Sequence, residues 1–436
     1  MRHIAWLAPS VLSLFTTAHS SARCSSSSSN AAALQRRRGA STPTPVDTAA
    51  QRAACAYKAG ATVAETLGTT GPVATPVEHV VIVMRENRSF DQYFGSLSRF
   101  GQPDVAPWPD SYSNLDPSGA EVKPSHLTST CYPLDPPHQW TAMHAQWNNG
   151  AMDGFAKSAG TGTSSDGHFA LGYFEESDLP FYYFLAKTYA IADHNFSSVM
   201  SGTYANRNYL LLGSSYGIKN TGTDGFPPKT ARSIFDALDE KGVSWGVYTS
   251  EEPLEGTLGW ESNHKGVSSV NAFLDAASKG TLPAVSFVDS KANIDDEHPP
   301  ADVQKGEAFT KSIYDAVTKG PAWGSTVLFI TWDESGGQFD HVNPPKACIP
   351  SDDQTEFNQL GFRIPLLVVS PFAKRHFVSH ETHEHTSILR FIEARWDLGA
   401  LTARDANTDA LLDMFDFQKP DTSLPAAPAP GTGGCK

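Results

Sequence analysis

Two short acidic runs, Glu86-Asn87 and Asp333-Glu334, hold three carboxylates and one amide oxygen in distant parts of the chain. Oxygen donors of this kind suit a hard or borderline divalent cation such as Ca, Mg, Mn or Zn. An isolated acidic pair is more often a solvated loop or a helix cap. The metal reading gains here because each pair directly follows an apolar run with the character of a buried strand. Between them, Ser198-Val199-Met200-Ser201-Gly202-Thr203 sets small hydroxyl residues ahead of an apolar, helix-like stretch that runs to Gly213. A hydroxyl at that place can be a simple N-cap. It can also be a nucleophile, because a helix start favours a bound anion and metal coordination lowers a hydroxyl pKa toward an attacking alkoxide.

The elements that would position these groups are legible as short apolar runs at 80–84, 243–248, 284–288, 327–331 and 366–369, which read as strands buried on both faces. Helical patterns at 233–241, 309–319 and 386–396 separate several of them. Strands that alternate with helices imply an α/β fold with a largely parallel sheet. Ligands of such sheets bind beyond the carboxyl ends of the strands. Glu86-Asn87, Asp289 and Asp333-Glu334 each follow one of the runs, so they are expected to converge in one cleft.

The 436-residue chain carries a formal charge of -14, which argues against a nucleic-acid partner, since neutralising a phosphate backbone needs clustered Lys and Arg. Residues 1–22 read as a signal peptide, with Arg2 and His3 before an apolar stretch at 4–15 that is too short to span a bilayer. No other run reaches spanning length, so no integral membrane segment and a secreted or extracytoplasmic protein are expected. Residues 23–74, including Arg36, Arg37 and Arg38, read as a low-complexity linker or pro-segment. A catalytic domain is expected over 75–416 and a flexible tail over 417–436. Beyond Cys24, the four cysteines Cys55, Cys131, Cys348 and Cys435 favour two disulfides, with three possible pairings.

Four ordered motifs now point to a family. The run Glu86-Asn87-Arg88-Ser89-Phe90-Asp91-Gln92-Tyr93-Phe94-Gly95 resembles the signature of the phosphoesterase family that contains bacterial acid phosphatases, phosphatidylcholine-preferring phospholipases C and plant non-specific phospholipases C. Ser201-Gly202-Thr203-Tyr204-Ala205-Asn206-Arg207 is similar to its nucleophile segment, and Glu297-His298-Pro299-Pro300 to its Asp-His-Pro-Pro. The run from Asp333 to Val342 is similar to its Asp-Glu-x-Gly-Gly-x-x-Asp-His-Val. The departures are Ser201-Gly202 and Ala205 for the usual Gly-Pro and Pro, and Glu297 for the usual Asp. The resemblance implies a three-layer α/β/α sandwich like that of alkaline phosphatase, with one metal held by Glu86, Asn87, Thr203, Asp333 and Glu334. It further implies that Thr203 attacks phosphorus to form a phosphothreonine, and that His138, His298 and His341 line the phosphate. Asn87, Arg88, Arg207 and Glu297 are the expected substrate-binding residues; either guanidinium could instead fix a loop by pairing with a carboxylate. His383 and His385 are expected to lie outside the first shell.

The substrate is then a small phosphate ester or a phospholipid head group. The aromatic residues Trp140, Trp147, Phe155, Tyr173, Phe174, Phe181, Tyr182 and Tyr183 read as core and cleft wall rather than a lipid groove. With no long C-terminal extension, this tilts the reading toward monoester hydrolysis, as in an acid phosphatase, with a phospholipase C as the alternative. A catalytically inactive phosphate binder is the alternative of another class. Of two Asn-x-Ser sequons, Asn195-Phe196-Ser197 is the better glycosylation acceptor, because Asn87 is expected in the metal cleft.

Overall fold

The five apolar runs form strands of one eight-stranded sheet in the computed structural model, which describes residues 48–109, 111–159, 167–250, 258–259, 264–432 and 435. The expected signal segment, Cys24 and Arg36 to Arg38 lie outside the described residues. The strands are β1 (His79–Arg85), β2 (Ala190–Ala192), β3 (Trp245–Thr249), β4 (Val267–Ser269), β5 (Val285–Val288), β6 (Thr326–Trp332), β7 (Leu366–Val369) and β8 (Phe377–Ser379). Their order across the sheet is β8-β2-β7-β6-β1-β5-β3-β4. Only β7 runs against the others, so the sheet is largely parallel as expected. The short strands β2, β4 and β8 carry too few residues for an apolar run to stand out.

Alternate residues of β1 enter two separate cores, which is the period-2 geometry of a strand covered on both faces. Val81 and Val83 pack with side chains of α1 (Phe90–Phe94), α2 (Pro180–Thr188), α5 (Val270–Lys279) and α6 (Val303–Lys319). Val80, Ile82 and Met84 pack with α3 (Thr203–Leu212), α4 (Ile234–Lys241) and α7 (His385–Trp396). The result is the three-layer α/β/α sandwich. Ser233, the expected first residue of α4, is its N-cap and accepts from the Asp236 amide. Helix α6 begins six residues before its expected start because Gly306, a poor helix former, breaks up the sequence pattern there. Gly306 is nevertheless required, since a Cβ at that position would stand 2.1 Å from Cγ of Glu297.

The expected linker and tail prove to be tied to the body in their described parts. Residues 48–74 contain helices at Thr48–Ala53 and Val63–Leu67, and the Gly60 amide donates to Ala400 O at 2.7 Å. Arg375 donates to the Asp421 and Ser423 carbonyls at 2.9 Å, and the Gly431 amide to Glu307 Oε2 at 3.0 Å. The disulfides Cys55–Cys348 and Cys131–Cys435 select one of the three pairings and pin both ends. Composition could not announce this, because crosslinks and backbone bonds to the body replace the apolar burial that the segments lack. Among the described residues no helix is long and apolar enough to cross a membrane.

Replacing Cys55 and Cys348 by Ser opens a closure of 293 residues. Denaturant unfolding is expected to show a loss of ~2–5 kcal/mol; an unchanged midpoint would mean that the N-terminal segment holds without the crosslink.

Candidate active site

The pairing of β1 with β6 sets Arg85 opposite Trp332, so the residues that follow, Glu86-Asn87 and Asp333-Glu334, leave the sheet side by side. Asn87 turns the chain with φ 50°, a left-handed conformation that Asn tolerates better than most residues. Its amide donates to Asp333 Oδ1 at 2.9 Å, and the Glu334 amide donates to the same oxygen at 2.8 Å. Glu334 Oε2 accepts from the Gly336 amide at 2.6 Å. Gly336 has φ 64° and passes so close to Asn87 that a Cβ would stand 2.6 Å from its carbonyl oxygen.

Three oxygens remain: Asn87 Oδ1, Asp333 Oδ2 and Glu334 Oε1 are buried with no hydrogen-bond partner. Leaving such atoms bare costs about 1–3 kcal/mol each, more for charged groups. Burial and the neighbouring carboxylates push the pKa values of Asp333 and Glu334 well above the usual range. A buried set of unpartnered amide and carboxylate oxygens is the donor chemistry that a divalent cation satisfies, so these residues fit one.

Thr203 does not cap its helix. Gly202 is the N-cap of α3, and Thr203, the first helical residue, donates from Oγ1 to Glu86 Oε2 at 3.4 Å. One turn later on the same face, Arg207 Nε donates to Glu86 Oε1 at 3.0 Å, and Nη1 reaches both oxygens of Asp289 at 3.3 Å. Burial works against charge on Glu86, but Arg207 and then His298 hold its pKa below the ordinary value. Asn206 fastens the turn before Thr203: its Nδ2 donates to Ser201 O at 2.7 Å and its Oδ1 accepts from the Val199 amide at 3.0 Å. Thr221 Oγ1 serves as a cap from outside the helix, accepting from the Tyr204 amide at 3.1 Å.

The three expected histidines share one arrangement. His138 Nδ1 bonds Pro136 O at 2.8 Å, His298 Nδ1 bonds Pro299 O at 2.7 Å and His341 Nδ1 bonds Asp91 Oδ2 at 2.7 Å. An acceptor on Nδ1 assigns the proton there, and Nε2 of His138 then accepts from Asn87 Nδ2 at 3.4 Å. The rings of His138 and His298 meet edge to face with centroids 5.6 Å apart. His341 belongs to a separate cluster, in which Arg363 donates to Asp91 at 2.8 Å and to Asp340 at 2.7 Å. Their protonation differs. Burial lowers the pKa of His138 against the opposing pull of Asp135. Burial also works against the proton on His341, but Asp91 and Asp340 outweigh it and its pKa stands above the ordinary value.

Among the described residues, Asp135, His138 and His298 form one set of potential ligand atoms within 4.8 Å of one another, and Asp91, Asp340 and His341 form another. Glu86, Asp333 and Glu334 are not drawn that close as a trio, Glu86 being held toward Arg207. Three expected substrate contacts are otherwise engaged. Arg88 is buried against the Glu297 carbonyl and Gln92, and Arg207 is committed to Glu86 and Asp289. Glu297 turns away from the cleft beneath it, accepting from Arg85 Nε at 3.1 Å, Tyr182 Oη at 2.5 Å, Tyr93 Oη at 2.7 Å and Trp332 Nε1 at 2.9 Å. Such a carboxylate anchors the floor of the site and is not a substrate ligand. Its motif position gave no sign of this, since the partners lie on four other elements.

His385, expected outside the first shell, bridges the Ser198 amide (3.3 Å) and Trp332 O (2.9 Å), joining the loop before Thr203 to the end of β6. Burial pushes its pKa down to about 4. Asn195 is buried and donates to Ile364 O at 3.2 Å, so its sequon is closed to glycosylation in the folded chain. Phe155, Phe174, Phe181, Tyr182 and Tyr183 are core residues, whereas Trp140, Trp147 and Tyr173 are only half-buried. The residues that the sequence did not single out are Arg363, Asp340, Asn206 and Thr221.

Residues 77–399 match the model of the Phosphoesterase family. Phospholipase C A of Mycobacterium tuberculosis is 32% identical over 418 residues, covering 80% of this chain and 79% of that protein. Non-specific phospholipase C1 of Arabidopsis thaliana is 31% identical over 376 residues, covering 76% and 69%. Among solved structures, a protein of the alkaline phosphatase superfamily from Vibrio parahaemolyticus aligns with TM-score 0.35 and 12% identity over 73% of this chain and 77% of its own.

Asp91→Asn removes the charge that holds the His341 proton, so the imidazole pKa is expected to fall, read from its ring-proton resonance. A proton held more tightly in the folded state stabilises below the unfolded pKa, and that contribution fades as pH rises through the folded pKa. The variant is expected to lack this fade; an unchanged titration would contradict the assignment.

Proposed function

Because the chain belongs to the phosphoesterase family and is a phosphoric ester hydrolase, we propose that it cleaves phospholipid-type phosphodiesters through a covalent Thr203 intermediate, outside the cytoplasm. The observation that carries the diester over the monoester is the engagement of both candidate phosphate arginines, Arg88 on Glu297 O and Arg207 on Glu86 and Asp289. A dianionic monoester asks for more open positive charge than these leave, whereas a monoanionic diester asks for less. The stacking of Tyr204, next to Thr203, on Phe226 (centroids 6.4 Å apart) offers an apolar rim for a lipid leaving group, with Phe226 57% exposed. The phospholipase C relatives support the same choice. The two disulfides favour an oxidising compartment.

In this reading Asn87, Asp333 and Glu334, with Glu86 and Thr203 beside them, hold one divalent cation of the Ca, Mg, Mn or Zn group. When bound, the cation supplies charge that favours the Thr203 alkoxide and offsets the phosphate. Glu86 orients the Thr203 hydroxyl and Arg207 fixes Glu86. The Thr203 hydroxyl proton leaves to solvent past Glu86, and Oγ1 bonds to phosphorus as the bond to the lipid alcohol breaks. His341, charged and steadied by Asp91, gives that alcohol its proton from Nε2. His298 lines the phosphate, and the bare Nε2 of His138 accepts from Asn87 Nδ2 at 3.4 Å and orients that amide. Water then cleaves the Thr203–phosphorus bond and releases the phosphorylated head group.

Side-by-side assays on p-nitrophenyl phosphorylcholine and p-nitrophenyl phosphate, with and without chelator, test the proposal. The expected result is chelator-sensitive turnover that favours the diester; preference for the monoester would return the reading to an acid phosphatase. Thr203→Ala is expected to lose at least ~1000-fold in kcat on either substrate, and near-normal turnover would remove Thr203 as the nucleophile.

A further inference from the structure

A second cluster of potential ligands lies at the carboxyl edge of the same sheet, on residues that the proposed reaction does not use. Strands β2 and β8 are parallel neighbours in the register Ala192↔Ser379, and the short pair that continues them has the register Asn195↔His383. Two residues, Asp193 and His194, therefore span the gap on one side while 380–382 span it on the other. The mismatch bows the longer side and brings His380 over Asp193. The frame is fixed at both ends, by Asp193 N donating to Ser379 O and His383 N donating to His194 O, each at 3.0 Å. Arg363 Nη1 also holds the Asp193 carbonyl at 2.9 Å.

Within this frame Asp193 Oδ2 is committed to the Ala106 amide at 3.0 Å, and Oδ1 faces Nδ1 of both His194 and His380 at 2.9 Å. The potential ligand atoms of all three residues lie within 4.8 Å of one another. The Asp193 side chain is fully buried, whereas those of His194 and His380 are 34% and 57% exposed. A carboxylate and two imidazoles form a donor set for zinc or a similar borderline divalent cation. A buried anchor with two solvent-facing rings leaves a coordination position for water, and the clamped backbone keeps the ordering cost of binding small.

We propose that Asp193, His194 and His380 form a second divalent-cation site of the zinc class, separate from the Asn87–Asp333–Glu334 oxygens. Each imidazole binds as the neutral tautomer with its proton on Nε2, Nδ1 giving up its proton to solvent as Nε2 takes one up, and the cation bonds to Asp193 Oδ1 and both Nδ1 atoms. Because Arg363 joins the Asp193 carbonyl to Asp91, the site braces the support of His341 without touching substrate.

The test is metal content per chain after chelator treatment and dialysis against zinc, for the wild type and for His194→Ala/His380→Ala. The wild type is expected to hold one equivalent more than the variant. Equal content in the two overturns the site and leaves Asp193 as the shared acceptor of two hydrogen bonds. If the double variant does not fold, zinc titration of the wild type followed by histidine resonances decides. His194 and His380 shifting together supports the site, and both staying still overturns it.

Discussion

Three buried oxygens without proton donors, on Asn87, Asp333 and Glu334, set the terms for everything around them. They meet because β1 and β6 are adjacent, parallel and in register, so the fold itself generates the crowding. Two of them belong to carboxylates in an interior where like charges repel strongly, and Glu86 and Asp289 add more negative charge nearby. Arg207 pairs with those two outer carboxylates and leaves the inner oxygens bare. That division is the one expected of the proposed cation site rather than of an ordinary buried salt-bridge network, in which the guanidinium would satisfy the most buried groups.

The same pairing locates Thr203, the proposed nucleophile. Arg207 and Thr203 lie one turn apart on α3 and reach opposite oxygens of Glu86, so a single carboxylate fixes the helix start relative to β1. Asn206 and Thr221 then hold the turn and the first helical amides. The histidines show how one residue type is given different tasks. Burial depresses the pKa of His138 against its carbonyl partner and Asp135, while Asp91 and Asp340 raise that of His341 against burial and Arg363. Environments that push like groups apart in pKa assign acid and base roles.

Much of this was legible in the sequence, because strand ends and acidic pairs are local features. The apolar runs at 80–84 and 327–331 located β1 and β6 to within a residue, and the residues after them were the ones that converge. The unread parts depend on contacts that no local pattern encodes. Arg363 reaches Asp91 because β7 is antiparallel and enters the sheet from the catalytic end. Glu297 sits inside a motif next to a functional histidine, yet Gly306 gives it room to turn down toward Arg85 and the aromatic hydroxyls. The segments at 48–74 and 417–432 have the composition of linkers, and long-range crosslinks hold them to the body.

In the proposed reaction Thr203 becomes covalently attached to phosphorus while the head group is still esterified. The intact mass and peptide map of protein quenched in acid during turnover of a choline phosphodiester read this attachment. A phosphorylcholine adduct is expected on the peptide that carries Thr203. Steady turnover with no adduct in protein quenched under single-turnover conditions, or an adduct on another residue, would contradict it.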